Sequence, residues 1–266
     1  MMAKKIVIRQ LNEAEQLIET GQLIRLTWNM EPIPLHQALA TIKNGGLILG
    51  AYMGEKMVGF TYSFPGFAAG RFYLCSHLLA VLPPYRGKNI GELLKQEQAK
   101  LAQELGYSLI KWTFDPLESR NAHLNLNKLR ARGVLYSPNH YGELTDDINK
   151  DLPSDRLIIE WSLNDQPLER TKQIDEQFLL LKSDINQAPV KTDIYRQLKT
   201  FNSEIYFIEI PTNIQVLKQG NIHLANQWRL ATREVFITLF NRGYEATDII
   251  LKGNDLSSYY VLRRIK

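Results

Sequence analysis

Arg86-Gly87-Lys88-Asn89-Ile90-Gly91 joins a strand-like run, Phe72 to Val81, to an amphipathic helix, and its residue types suit the holding of a pyrophosphate. Gly87 and Gly91 let the backbone come close to a ligand, and the first N–H groups of a helix are donors at its positive end. Arg86 and Lys88 add two positive charges, and the Arg86 guanidinium can fork across phosphate oxygens. The spacing excludes a P-loop, which needs four residues between its glycines and then Lys-Ser or Lys-Thr; here Gly91 precedes Glu92-Leu93. A dinucleotide fingerprint fails as well, because no third glycine follows at its offset. Asn89 stands at the middle of the turn, where asparagine tolerates left-handed backbone angles. The plain alternative is a helix N-terminus after a strand.

The elements that must position this loop read as a mixed α/β order. Ile6-Val7-Ile8 forms a short strand, and Asn12 caps a helix carrying Leu17, Ile18, Leu23, Ile24 and Leu26 towards Trp28. Pro32 and Pro34 end it before a second helix. Leu47 to Tyr52 and Met57 to Ser63 form a hairpin about Met53-Gly54-Glu55-Lys56. Pro83-Pro84 stops the strand Phe72 to Val81. From Ile90, Leu93, Leu94, Leu101 and Leu105 make a helical stripe closed by Gly106. Ser108 to Phe114 is a strand, Asn121 to Leu129 a helix, and Leu157 to Trp161 a later strand.

The loop resembles the Arg/Gln-x-x-Gly-x-Gly/Ala signature of the GNAT acyltransferases, with Asn89 in place of the middle glycine, and the element order over about residues 5 to 162 is similar to that family's. The resemblance implies a mostly antiparallel central sheet flanked by helices and an acyl-CoA co-substrate, acetyl-CoA or another. It implies that Arg86, Gly87, Lys88, Asn89, Ile90 and Gly91 cradle the pyrophosphate, and that backbone groups of Leu79 and Val81 pair with the pantetheine arm as an added strand would. Asn121 matches a position that contacts the same arm, or is a helix cap.

Catalysis in that family is direct attack of an amine on the thioester, with no covalent intermediate. A backbone N–H near Leu79 would polarise the carbonyl. His77 is the first candidate base, or else a histidine bonded within the sheet. Asp115 is the second, or caps the turn Asp115-Pro116-Leu117. Leucine stands at Leu126, where many relatives carry a tyrosine acid on the last helix. Tyr136 and Tyr141 lie downstream, to reach in or to pack. Trp112 to Leu117, Asn139 to Gly142 and Leu152 to Arg156 resemble a subgroup of bacterial acyltransferases with a C-terminal extension, some associated with N-acylated amino acids. For such an acceptor's carboxylate the candidates are Arg120 and Arg156, each equally a surface ion-pair partner.

Residues 1–163 are thus expected to form the acyltransferase domain, and 164–266 either to extend its sheet or to form a smaller α+β lobe covering the substrate side. In the lobe, Gln177 to Leu181 and Glu204 to Ile210 read as strands, Ile222 to Gly243 as a helix, and Thr247 to Leu251 with Tyr259 to Leu262 as a hairpin about Gly253-Asn254-Asp255. Arg229 and Arg233, one turn apart, face either a ligand or solvent.

The single cysteine, Cys75, excludes an internal disulfide, and the five histidines lack metal-ligand spacing. No apolar segment suits a signal peptide or membrane span, so a cytoplasmic location is expected. The net charge of +4 fits an anionic cofactor without demanding nucleic acid. The expected partners are acyl-CoA and a small amine or amino acid, with no membrane and no nucleic acid, and a homodimer left open. Acyl-CoA binding without turnover and an aminoacyl-tRNA-dependent transferase are the two other classes.

Overall fold

A computed structural model describes residues 5–144, 146, 148–200, 202–252 and 256–265. The strands are β1 (Ile6–Gln10), β2 (Leu47–Met53), β3 (Lys56–Ala68), β4 (Arg71–Val81), β5 (Leu109–Phe114), β6 (Arg132–Ser137), β7 (Arg156–Ser162), β8 (Leu179–Ser183), β9 (Pro189–Lys191), β10 (Ile205–Pro211), β11 (Tyr244–Leu251) and β12 (Ser257–Arg264). The helices are α1 (Ala14–Trp28), α2 (Leu35–Lys43), α3 (Ile90–Glu104), α4 (Ser119–Ala122), α5 (Asp193–Arg196), α6 (Ile214–Gly220) and α7 (Ile222–Phe240).

The chain divides into two compact units, one of residues 1–112 with 161–165 and the other of residues 113–160 with 166–266. Residues 113–160, expected with the first domain, therefore group with the C-terminal residues.

In the first unit the strand order is β1-β2-β3-β4-β5, antiparallel through β4 and then parallel. Leu17, Leu23 and Ile24 of α1 and Ala38 of α2 pack with Ile48, Phe60 and Tyr62 on one set of alternating strand positions. Ile90 and Leu94 of α3 pack on the opposite face with Leu49, Ala51 and Val58, the last turned there by a β-bulge between Met57 and Gly59. Gly59 is required where these layers meet, because a Cβ there would lie 2.8 Å from the Ala80 carbonyl and 3.3 Å from Ile90.

Three expectations are corrected here. Glu13, not Asn12, is the N-cap of α1, in a reciprocal box with Gln16. Ile18 and Leu26 are exposed at 60% and 70%, because Leu17, Gly21 and Ile24 already define the inner face. On α3 the inward positions are Ile90, Leu94, Lys95, Gln98, Ala99 and Ala102, while Leu93 and Leu105 are exposed.

The second unit runs β7-β6-β11-β12-β10-β8-β9, antiparallel except between β10 and β8. Strand β6 lay outside the sequence expectations. The helix expected from Asn121 to Leu129 is α4, starting at Ser119 with Glu118 as cap, followed by a wider π-helical turn over His123–Lys128. The hairpin β11–β12 forms as expected, and its turn, residues 253–255, lies outside the described residues. Among the described residues no helix is long and apolar enough to cross a membrane.

Candidate functional site

Strand β4 meets β5 through Leu74↔Ile110 and Cys75↔Lys111. Further along, its other edge pairs with β3 as Tyr62↔Leu78 and then Ser63↔Ser76, so His77 is an extra residue, a β-bulge. A bulge interrupts the ladder and re-aims the backbone groups around it. The bulge lies two residues before Leu79, near which a polarising N–H is expected.

A buried chain of hydrogen bonds holds this bulge. Lys95 Nζ donates to Gln98 Oε1 at 2.9 Å, Gln98 Nε2 to Thr61 Oγ1 at 3.1 Å, and Thr61 Oγ1 to the Leu78 carbonyl at 3.0 Å. Lys95 is 2% exposed with its Nζ 3.7 Å from the Trp112 ring centroid, and burial pushes its ammonium well below the usual lysine range. Sequence reasoning assigns Lys95 and Gln98 no role, since polar residues on a helix usually face water.

His77 is exposed, with its ring tilted against Phe64 at 5.7 Å and edge-on to Tyr62 at 6.5 Å. Among the described residues nothing hydrogen-bonds its ring. Partial burial against these apolar neighbours lowers its pKa, so the neutral, proton-accepting form prevails at neutral pH. Tyr62, 3% exposed and bonded through its hydroxyl to Thr41 Oγ1 at 2.8 Å, completes this wall. Its proximity to His77 follows from the β3–β4 register, which sequence alone does not display. Burial raises the Cys75 thiol pKa, which disfavours the thiolate a nucleophile would need.

Beyond β4, the short 3₁₀ turn Pro83–Tyr85 leads into the loop. Gly87 has φ +77° and open space where a Cβ would sit, and Asn89 takes the left-handed conformation, φ 59°, as N-cap of α3. Ile90, 1% exposed, anchors the helix start in the core. Gly91 follows in the first turn, where backbone N–H groups point out of the helix end. Lys88 and Lys56 bring their ammonium groups to 5.3 and 5.7 Å from the Tyr85 ring, so Lys56, from the β2–β3 turn, adds a cation beside the loop. A left-handed turn, a helix N-terminus and cations beside them fit a diphosphate. Arg86 Nε donates to the Val81 carbonyl at 3.1 Å. An added strand pairing at Val81 must therefore displace Arg86; Leu79 carries no such contact among the described residues.

In the second unit, the other expected site residues have structural partners. Asp115 receives Arg229 Nη1 at 2.8 Å and Nη2 at 2.5 Å, and Leu117 N–H at 2.8 Å. Arg229 is fully buried, and this pair holds the Asp115 carboxyl below its usual range despite the opposing effect of burial. A carboxylate bound on both oxygens by a guanidinium is a poor proton acceptor, so Asp115 is a structural anion rather than a base. Arg233 donates to both oxygens of buried Asp155 at 2.8 and 2.7 Å, and Tyr136 donates to the same carboxylate at 2.7 Å. Arg229 and Arg233 therefore meet neither a free ligand face nor open solvent. Arg156 is 7% exposed, bonded to the Asp155 carbonyl and Asn149 Oδ1, and lies over the Tyr141 ring. Arg120 and Asn121 are exposed, and Asn121 is the third residue of α4 rather than its cap. Leu126, at the family's tyrosine position, is fully buried. Tyr141, 44% exposed, shares a 3.0 Å hydrogen bond with Thr113.

Several solved structures are similar to part of the chain. The ribosomal-protein-S18-alanine N-acetyltransferase from Escherichia coli is 14% identical, over 61% of this chain and 96% of its own, with a TM-score of 0.47. The protein yncA from Salmonella typhimurium, solved with its cofactor acetyl-CoA, is 14% identical over 62% and 98%, at 0.48. Arabidopsis thaliana Naa50, solved with a CoA-peptide bisubstrate analogue, is 17% identical over 59% and 98%, at 0.48. None of the curated proteins compared by sequence matches the chain. The model of the acetyltransferase (GNAT) family matches residues 11–124, which take in the bulged strand, the Gly87 turn and α3. This segment of the chain is a GNAT acetyltransferase domain.

Proposed function

We propose that the protein transfers an acyl group, acetyl or succinyl, from acyl-CoA to the amino group of a small molecule, an amino acid among the candidates. The observation that carries this reading is the succession on one strand and its loop: the bulge at His77, then Leu79, then the Gly87 turn at the N-terminus of α3. The turn and helix end bind the diphosphate, and the strand edge aligns the pantetheine arm. The amine nitrogen attacks the thioester carbon while a backbone N–H at the bulge stabilises the developing oxyanion. His77 accepts the ammonium proton, directly or through water, and the tetrahedral adduct expels the CoA thiolate. Solvent protonates that sulfur, since Leu126 supplies no acid and Tyr136 is bonded to Asp155.

The test is CoA thiol release by the purified chain with acetyl-CoA and succinyl-CoA, each against a panel of L- and D-amino acids and polyamines. Amine-dependent release is expected and names the acceptor class. CoA binding by calorimetry without release from any amine leaves a second reading, a binding module, which the missing acid at Leu126 favours.

A further inference from the structure

Glu209, on β10, is 4% exposed. Its Oε1 accepts hydrogen bonds from Ser183 Oγ of β8 and Ser257 Oγ of β12, both at 2.5 Å. Among the described residues Oε2 has no hydrogen-bond partner and no cation approaches the group. This differs from Asp115 and Asp155, each held by an arginine. A carboxylate buried to this extent and accepting only from two hydroxyls leaves its charge to be offset by water or by a cation.

The two serines also line a pocket of about 300 Å³ within the second unit. Its other walls include Val216 and Leu217 of α6, Trp228 of α7, and Leu256. Trp228 Nε1 is already donated to the Gln187 carbonyl. Because each serine gives its one hydrogen to Glu209, its oxygen can offer the pocket only lone pairs. Among the described residues no lysine or arginine lines it. The pocket thus presents acceptors backed by negative charge at one place and apolar surface elsewhere. A metal ion is disfavoured, since among the described residues no cluster of three His, Cys, Asp or Glu side chains is present. Anions are opposed by Glu209.

We propose that this pocket binds a small primary ammonium compound with an apolar body, its –NH₃⁺ donating to Ser183 and Ser257 in the field of Glu209. The proposal is independent of acyl transfer, and its test reads binding rather than turnover. Calorimetry on the full chain at neutral pH would use three probes of similar size: phenethylammonium, neutral 2-phenylethanol and anionic 3-phenylpropionate. Phenethylammonium should bind at least about tenfold more tightly than the alcohol, with no binding of the carboxylate. Glu209→Gln, which keeps an oxygen to accept from the serines, should remove that preference. Val216→Trp, at a position 62% exposed, should block the pocket without disturbing the fold and abolish binding. Equal affinity for ammonium and alcohol, unchanged affinity in Val216→Trp, or no binding of phenethylammonium on the order of 10 mM would each overturn the proposal.

Discussion

The two units use charge in opposite ways. In the second, buried carboxylates are matched to arginines from one helix, Asp115 to Arg229 and Asp155 to Arg233, at i and i+4 on α7. In the first, the buried Lys95 has no acidic partner among the described residues; it rests on Trp112 and an amide, and the candidate site is made from backbone, a left-handed turn and a helix end. Residue type is therefore a poor guide to chemistry here. Asp115 and Arg156 look reactive as letters and are bound into scaffold, while the proposed reactive geometry depends mostly on backbone groups, with His77 as its base. Compensated ions fix architecture, and exposed backbone at a strand edge remains open to a ligand.

The comparison breaks most readily at Arg229. Arg229→Ala should leave Asp115 buried and unpaired and cost about 3–5 kcal/mol in urea unfolding. A loss under about 1 kcal/mol would mean that the pair is not structural. The same pair predicts acid sensitivity. Because the folded pKa of Asp115 lies below its unfolded value near 3.8, the stabilisation is complete above that value and disappears as pH falls through the lower, folded one. Arg229→Met/Asp115→Leu should flatten this part of the pH–stability curve.

On the site itself, His77→Ala should lower kcat/KM about 100-fold with little change in melting temperature. In the parent, kcat/KM should fall on the acid side through a pKa below 6.5, as protonation removes the base, and His77→Ala should lose that limb. An unchanged pH profile in the variant would remove His77 from the mechanism.

Gln98→Leu separates the two uses of charge within one unit. It leaves Lys95 and Thr61 without their shared partner and should cost about 1–3 kcal/mol of stability. It should also lower kcat more than it raises KM for acyl-CoA, because the Leu78 carbonyl at the bulge loses its support. Smaller still, Lys88→Ala or Gly87→Val should raise that KM about tenfold, the first by removing charge and the second by straining a turn at φ +77°. Equal effects on KM at high and low salt would count against the ionic part of this expectation for Lys88.

Most elements of the first unit were legible because alternation, proline stops and the glycine turn act over a few residues. The loop's left-handed Asn89 and the helix starting at Ile90 followed from the same local chemistry. Faces were read less well. Leu93 and Leu105 looked like core but point outward, because Lys95 and Gln98 take inner positions where partners compensate them. Strand β6 escaped notice because its neighbours come from distant segments, β7 and β11.

By itself, the sequence determined the order of most elements, the glycine turn proposed to hold a phosphate and the absence of cysteine pairs, all set by backbone preference and composition. Tertiary structure alone decided that Asp115 is a partner of Arg229, 114 positions away, that His77 is the bulge residue beside Tyr62, and that Glu209 sits behind two serines next to a pocket. The physical reason is the range of the interactions. Turns and caps are fixed by neighbours in the chain, whereas a side chain's charge, exposure and reactivity are fixed by whichever groups the fold brings against it.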